Sequence, residues 1–324
     1  MDEHDRPLDQ VVLRAGGARL EIAPLGATVL RWLVPLGPEP VDLVDGYRDA
    51  EELQDQDGVR NGVMAPFCNR VSDGRYTFDG VEHDLLPGST DRTIYHGLVR
   101  TEPFSLVRLD EVDGAAEALL RCSVLADGAA TGYPFHVVVD VEYRLTPTSL
   151  DVVITGTNTG DSAAPFASGW HPYFRLPGAD VVDRLHLDVP STVAIRADAQ
   201  LFPLPDDSAF VAQDGARWRP LGSAVVDAAF AGLERDHDHG HATTTLSDPV
   251  TGTRLDLHQE RGLVHVFTGD TLARGRRTSV AIEPVEVMTD AFNRPDCADA
   301  IRLEPHESRS FRFRVDLATA GAVG

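Results

Sequence analysis

The chain has 324 residues, with 29 basic against 51 acidic side chains and a formal net charge of −22 at pH 7. Every basic residue is arginine, so neither a lysine Schiff base to a carbonyl nor a P-loop lysine on a nucleotide phosphate is available. The negative balance also argues against nucleic acid and anionic membrane surfaces, both of which are bound largely by neutralising negative charge.

In chain order the predicted elements are mostly strands. Residues 18–35 alternate apolar and polar positions and turn at Gly26. YRDAEELQD (47–55) is the best short helix candidate. RYTFDGVEHDL (75–85) holds two extended pieces around Asp79-Gly80, a hairpin signal. HVVVDVEYRLT (136–146) and SLDVVITGTNTG (149–160) are rich in β-branched residues. Pro147-Thr148 is too short a link for a crossover helix, so the two segments read as an antiparallel pair. RLHLDVP (184–190), TRLDLHQE (253–260), LVHVFTGD (263–270), TSVAIEPV (278–285) and RSFRFRVDL (309–317) continue the pattern. Many strands, Gly/Pro/Asp turns and almost no amphipathic helix predict an all-β fold, an antiparallel sandwich or barrel.

No composition break marks a linker, so residues 1–324 are expected to form a single domain. Cys68, Cys122 and Cys297 are far apart and odd in number, which fits neither a disulfide framework nor a zinc site. The start, MDEHDRPLDQ, has no apolar stretch of a signal peptide, and no apolar run approaches the ~20 residues that span a bilayer. The expectation is a cytoplasmic protein, monomer or homodimer. G-x-S-x-G, G-x-G-x-x-G after a strand, Walker A and H-E-x-x-H motifs are all absent.

Four segments place polar residues in apolar or aromatic surroundings: 64–80 with Asn69-Arg70, 94–100 with His96, 166–178 with His171 beside Trp170, Tyr173 and Phe174, and 280–293, where Glu283 ends an apolar strand before Pro284. Burial and neighbours can tune an imidazole or a carboxyl toward acid or base work near neutral pH. Each also has a plain structural reading: a packed histidine, a solvated rim carboxylate, a loop closed by Asn-Arg.

Together the segments A-P-F-C-N-R-V-x-D-G-R-Y-T-F-D-G, I-Y-H-G-L-V-R, N-T-G-D-x-x-A-P-F-x-x-G-W-H-P-Y-F and A-I-E-P-V-E-V-M-T-D-A-F-N resemble the aldose 1-epimerase (mutarotase) family, in its order and at its approximate spacing. The resemblance implies a large antiparallel β-sandwich, or supersandwich, with an open cleft on one sheet. It implies interconversion of the α and β anomers of a free aldose, with no metal and no cofactor. By the same resemblance Glu283 is the catalytic base and His171 the catalytic acid. His96 is a second active-site histidine, and Asn69 and Arg70 bind sugar hydroxyls. Asp227 in VVDAAF resembles a sugar-gripping Asp, although Ala228 replaces the usual polar residue after it. His265 stands where many relatives carry a sugar-binding Gln, which bears on the substrate. Met288-Thr289 precede Asp290 where relatives usually have proline.

The chemistry suits these residue types: a cyclic hemiacetal opens when O1 loses a proton and the ring oxygen gains one. Trp170 or Phe67 is a candidate to stack on the sugar's apolar face, and equally a candidate for the core. The run ERDHDHGH (234–241) offers a metal-binding edge but reads first as a solvated loop, and Asp206-Asp207 as solvent-facing acids. Two other functions fit the same residues. A hexose-6-phosphate or modified-sugar epimerase would want arginines such as Arg70, Arg75 and Arg100 to converge. A non-catalytic sugar-binding or regulatory protein would not need both Glu283 and His171.

Overall fold

The computed structural model describes residues 8–319; most of the acidic opening segment lies outside that range. Two antiparallel sheets dominate. The larger has nine strands, in the order Ala216–Trp218, His186–Val189, Ala242–Ser247, Arg254–Gln259, Ser308–Ala318, Ser149–Asn158, Val137–Leu145, Ala115–Cys122 and Ser105–Val112. The other runs Phe210–Ala212, Ser191–Ile195, Asp227–Leu233, Leu263–Phe267, Val280–Val285, Gly169–Trp170 and Val63–Met64, with Tyr173–Phe174 also paired to Val280–Val285. A separate four-stranded meander spans residues 11–42, and the short helix Ala50–Asp55 carries an Asp49 cap on the Glu52 N–H.

Strand alternation explains the core. Val137, Val139, Val141, Tyr143 and Leu145 are buried, and the residues between them are half-exposed. The partner strand repeats this with Leu150, Val152 and Ile154. Val137–Leu145 and Ser149–Asn158 pair from Val137 opposite Asn158 to Leu145 opposite Leu150, as the two-residue link requires. Trp170 of one sheet stacks on Phe313 of the other at 5.5 Å, so the sheets meet face to face around one large apolar cluster. The hairpin at Asp79-Gly80 forms, with Arg75–Phe78 paired to Val81–Asp84. Among the described residues no helix is long and apolar enough to cross a membrane.

One expectation changes and one alternative is decided. Glu283 does not end its strand. The strand continues through Pro284, opposite Val264, and is buried along its whole length. It tolerates proline because its other neighbour is interrupted there: Tyr173 and Phe174 pair with Ala281 and Val280, Gly169 pairs with Val285, and between them the Ile282 N–H donates to the Pro172 carbonyl while Pro284 faces a stretch without a paired partner. Trp170 and Phe67 are core residues. The Trp170 indole N–H donates to the Asn61 carbonyl, and Phe67 packs edge-on against Phe292.

Candidate active site

The interrupted ladder builds the site. Alternation along Val280–Val285 turns Ile282 into the sandwich core and Glu283 to the opposite face. His265 lies directly opposite Glu283 on the neighbouring strand. Asp227 lies one strand further, beside His265, and accepts a hydrogen bond from its Nε2 at 2.7 Å.

His171 reaches the same spot from the gap. Its backbone is held on both sides of Asn61: the Asn61 N–H donates to the His171 carbonyl, and the His171 N–H to the Gly62 carbonyl. The Asn61 side chain accepts from the Tyr173 N–H and donates to the Val29 carbonyl. Gly169 permits this packing, since a Cβ there would lie 2.8 Å from the Val285 side chain. Tyr173 then stacks on the His171 ring, 5.0 Å between centroids and 9° from parallel.

Asn69, Arg70 and His96 arrive on two crossing loops. The His96 N–H donates to the Asn69 carbonyl at 2.7 Å, and both residues hold positive φ. Gly97 lets the loops touch, because a Cβ would sit 2.1 Å from the Ala65 carbonyl oxygen. Asp290 ties down the first loop: its N–H donates to the Arg70 carbonyl and its carboxylate accepts from the Ser72 N–H. Asn293 adds a bond to the Arg75 carbonyl. The motif T-D-A-F-N thus braces the motif C-N-R.

All seven residues singled out in the sequence, Asn69, Arg70, His96, His171, Asp227, His265 and Glu283, line one cavity of about 220 Å³. Sequence reasoning missed Tyr95, Phe267, Leu201 and Leu272 on its walls and Asn61 beneath it. The one local signal for Asn61 was an Asn-Gly pair between polar and apolar runs, a turn dipeptide whose structural importance depends on distant partners.

The electrostatics diverge within a few ångströms. Glu283 is 2% exposed, and burial pushes its carboxyl up to about 8. His171 is 5% exposed, and burial pushes its imidazole down to about 3. Glu283 Oε1 and His171 Nε2 are 3.3 Å apart. His171 Nδ1 is buried without a hydrogen-bond partner. His96 is held well below the usual histidine range by burial and then by nearby positive groups, with Nδ1 2.8 Å from the Met64 sulfur. Burial also opposes charge on His265 and Asp227. Glu283 and Asp227 outweigh it at His265, raising that imidazole's pKa, and the hydrogen bond from His265 outweighs it at Asp227, lowering that carboxyl's. Both shifts are in the direction that favours the charged forms of the pair. His96, His171 and Glu283 each offer a ligand atom within 4.8 Å of the other two, so this trio is also where a cation would sit.

Of the arginines and the remaining sequence candidates, Arg70 alone lines the cavity. Arg75 pairs with Asp84 and Asp73 outside the cavity. Arg70 and Arg100 both lie over the Tyr95 ring, at 5.7 and 5.4 Å. The histidine-rich loop borders a separate cavity with His258, Arg314 and Asp316 on the nine-stranded sheet. Asp206 and Asp207 are exposed.

The family model described as aldose 1-epimerase matches residues 9–316. The Escherichia coli protein YphB is 32% identical over 287 residues, covering 82% of this chain and 89% of that protein. The aldose 1-epimerase of E. coli is 29% identical over 193 residues, 59% of this chain and 52% of that protein. The crystal structure of galactose 1-epimerase from Lactobacillus acidophilus superposes with a TM-score of 0.77 at 16% identity, covering 98% of this chain and 97% of that one.

Proposed function

This chain belongs to the aldose 1-epimerase family, and we propose that it interconverts the α and β anomers of a free aldohexose by acid–base ring opening and closure. The observation that carries the reading is the contact of Glu283 with His171 and the opposite displacement of their pKa values. With the carboxyl raised and the imidazole lowered, the pair holds one proton between about pH 3 and 8. Burial parks that proton on Glu283, because the neutral pair is cheaper to bury than the charged one.

Passing the proton from Glu283 to His171 creates a carboxylate base and an imidazolium acid at once. Glu283 then takes the proton from O1 as the C1–O5 bond breaks, and His171 gives its proton to O5. The open-chain aldehyde turns about C1–C2. Closure reverses each transfer, O5 returning its proton to His171 and Glu283 returning its own to O1. Acid–base assistance of this kind contributes roughly 10²–10⁴-fold. His265 and Asp227 stand as a charged clamp for sugar hydroxyls. The imidazolium of His265 also opposes burial at Glu283, which favours the working carboxylate.

Supporting a neutral aldose over a phosphorylated one, Arg75 is engaged by acids outside the cavity. Polarimetry on freshly dissolved α-glucose and α-galactose tests the activity; no acceleration over buffer for any common aldose overturns it. Acceleration that survives Glu283→Gln overturns the assignment of the base. Activity lost on dialysis against EDTA and restored by a divalent ion would assign the trio to a metal instead.

A further inference from the structure

The two ends of the nine-stranded sheet differ. One is the three-residue strand Ala216–Trp218, and the other is Ser105–Val112, eight residues long and exposed at every position. Ser105–Val112 pairs with Ala115–Cys122 through the tight Asp113-Gly114 turn, and among the described residues no strand pairs with its outer edge. A short edge strand is protected by its length, whereas a long one presents a row of free N–H and C=O groups to another chain. Its side chains add apolar surface: Leu106, Val107, Leu109 and Val112 are 46%, 51%, 51% and 41% exposed. A bulge between Leu106 and Arg108 leaves Arg108–Val112 as the regular stretch.

We propose that this edge binds a second copy of the chain, strand against strand and antiparallel, with Leu109 facing Leu109 and Arg108 of each copy facing Asp110 of the other. Charge selects both the partner and the register. Hydrogen-bonded and non-hydrogen-bonded pairs alternate along an antiparallel ladder, so a two-fold axis between identical strands must set one residue opposite itself. Centred on Arg108, the pair sets arginine against arginine. Centred on Asp110 or Glu111 it sets acid against acid, and centred on Val112 it sets Glu111 against Asp113. Like charges directly opposite are destabilising. Within the regular stretch, Leu109 is the centre that puts unlike charges across the joint, and symmetry does so twice.

The sheet behind the edge is short of one positive charge there. Running inward across the outer face, Asp110, Glu117, Arg144, Asp151 and Arg314 each lie opposite the next. Signs alternate from Glu117 onward, and the like-charged neighbours of the row are its first two members. Within one copy Arg108 answers them alone, shared between Asp110 at 3.1 Å, Glu142 at 2.6 Å and Glu117 at 3.6 Å. A second copy sets its own Arg108 across from Asp110, so that arginines flank the two acids on both sides. Leu109 serves the other face. It lies opposite the buried Ala118 yet is half exposed because the sheet ends there, and in the pair it packs on its counterpart. The charge of −22 on each copy opposes association from afar, but screening beyond about 10 Å at 0.1 M salt leaves the contacts at the edge to decide. Each copy spends this edge in the pair, so association closes at two.

The test is sedimentation velocity on the whole protein from micromolar to millimolar concentration, at about 0.15 M salt, with Arg108→Asp and Asp110→Arg run singly and mixed. The expected result is a monomer–dimer equilibrium that either single variant weakens roughly tenfold, since symmetry counts each lost pair twice. Mixing the two variants restores dimers, because both contacts between positions 108 and 110 then join unlike charges. A variant that had merely misfolded would not be rescued by mixing, so this arm separates a lost interface from a lost fold. A monomer at every concentration overturns the proposal. So does a dimer that neither single variant weakens, a mixture that associates no better than its components, or growth beyond two copies.

Discussion

The ring of Tyr173 touches two buried polar clusters. The Arg60 guanidinium lies 5.3 Å from its centroid, and His171 stacks on it. Around Arg60 every charge is met: Nη1 donates to Asp45 at 2.5 Å, Nη2 to the Arg274 carbonyl at 2.6 Å, and Arg274 returns to Asp45 at 2.9 Å. Ser279 completes the Asp45 carboxylate. Burial pulls the Asp45 pKa upward, yet these partners bring it below the usual aspartate value. Around His171 the same fold leaves Nδ1 bare and lets burial drive Glu283 and His171 in opposite directions. Neighbouring parts of one fold thus treat buried charge differently. Full pairing serves stability, and incomplete pairing leaves groups whose protons can move to a ligand.

The sharpest way to break this contrast is Glu283→Gln. On the proposed mechanism it lowers kcat by about 10²–10⁴-fold in polarimetry. It should at the same time stabilise the fold at pH 8. The folded carboxyl titrates near 8, above its ordinary 4.5, so between those values the unfolded chain binds fewer protons and stability falls as pH rises. Removing the ionisable group should recover on the order of 2 kcal/mol in denaturant titrations at pH 8. A variant that loses stability there would place Glu283 with the paired cluster. The mirror experiment is Asp45→Ala, which strands Arg60 in the interior. It should lose about 3–5 kcal/mol of unfolding free energy, and a loss below 1 kcal/mol would show that the network is dispensable.

The pH profile separates the clusters more finely. If the Glu283–His171 pair works with one proton, kcat/KM is flat from pH 5 to 7. It then falls about tenfold per unit above pH 8, as the pair loses that proton. A steady rise through pH 8 would mean that the acid lies elsewhere. The smallest effect is expected for His265→Gln, which removes the charged partner of Asp227 but keeps a hydrogen-bond donor. KM should rise a few-fold, with kcat changed less than for Glu283→Gln.

Local pattern made much of the architecture legible. β-Branched content marked 136–146 and 149–160, where strands form at Val137–Leu145 and Ser149–Asn158, the segment 309–317 lies within the strand Ser308–Ala318, and Asp79-Gly80 marked a hairpin, because side-chain type and turn chemistry are short-range properties. The seven site residues were legible through motif resemblance, and they line one cavity. The strand at Ser105–Val112 was not legible: it is an edge strand exposed along its length, without the alternation that burial imposes. The Asp227–Leu233 strand, DAAFAGL, was obscured by its alanines and glycine.

What the sequence determined by itself was therefore an all-β chain, a lysine-free chemistry and a set of candidate acid–base residues. Tertiary structure decided what those residues became. Pro284 read as a strand end until its pairing with Val264, and the interruption of the ladder on its other side, showed how the strand continues through it. Trp170 and Phe67 read equally as sugar platforms or core residues until the opposing sheet and Phe292 claimed them. The proton affinities of Glu283 and His171 were likewise undetermined, because desolvation belongs to the surroundings a side chain is buried in and not to its neighbours in sequence.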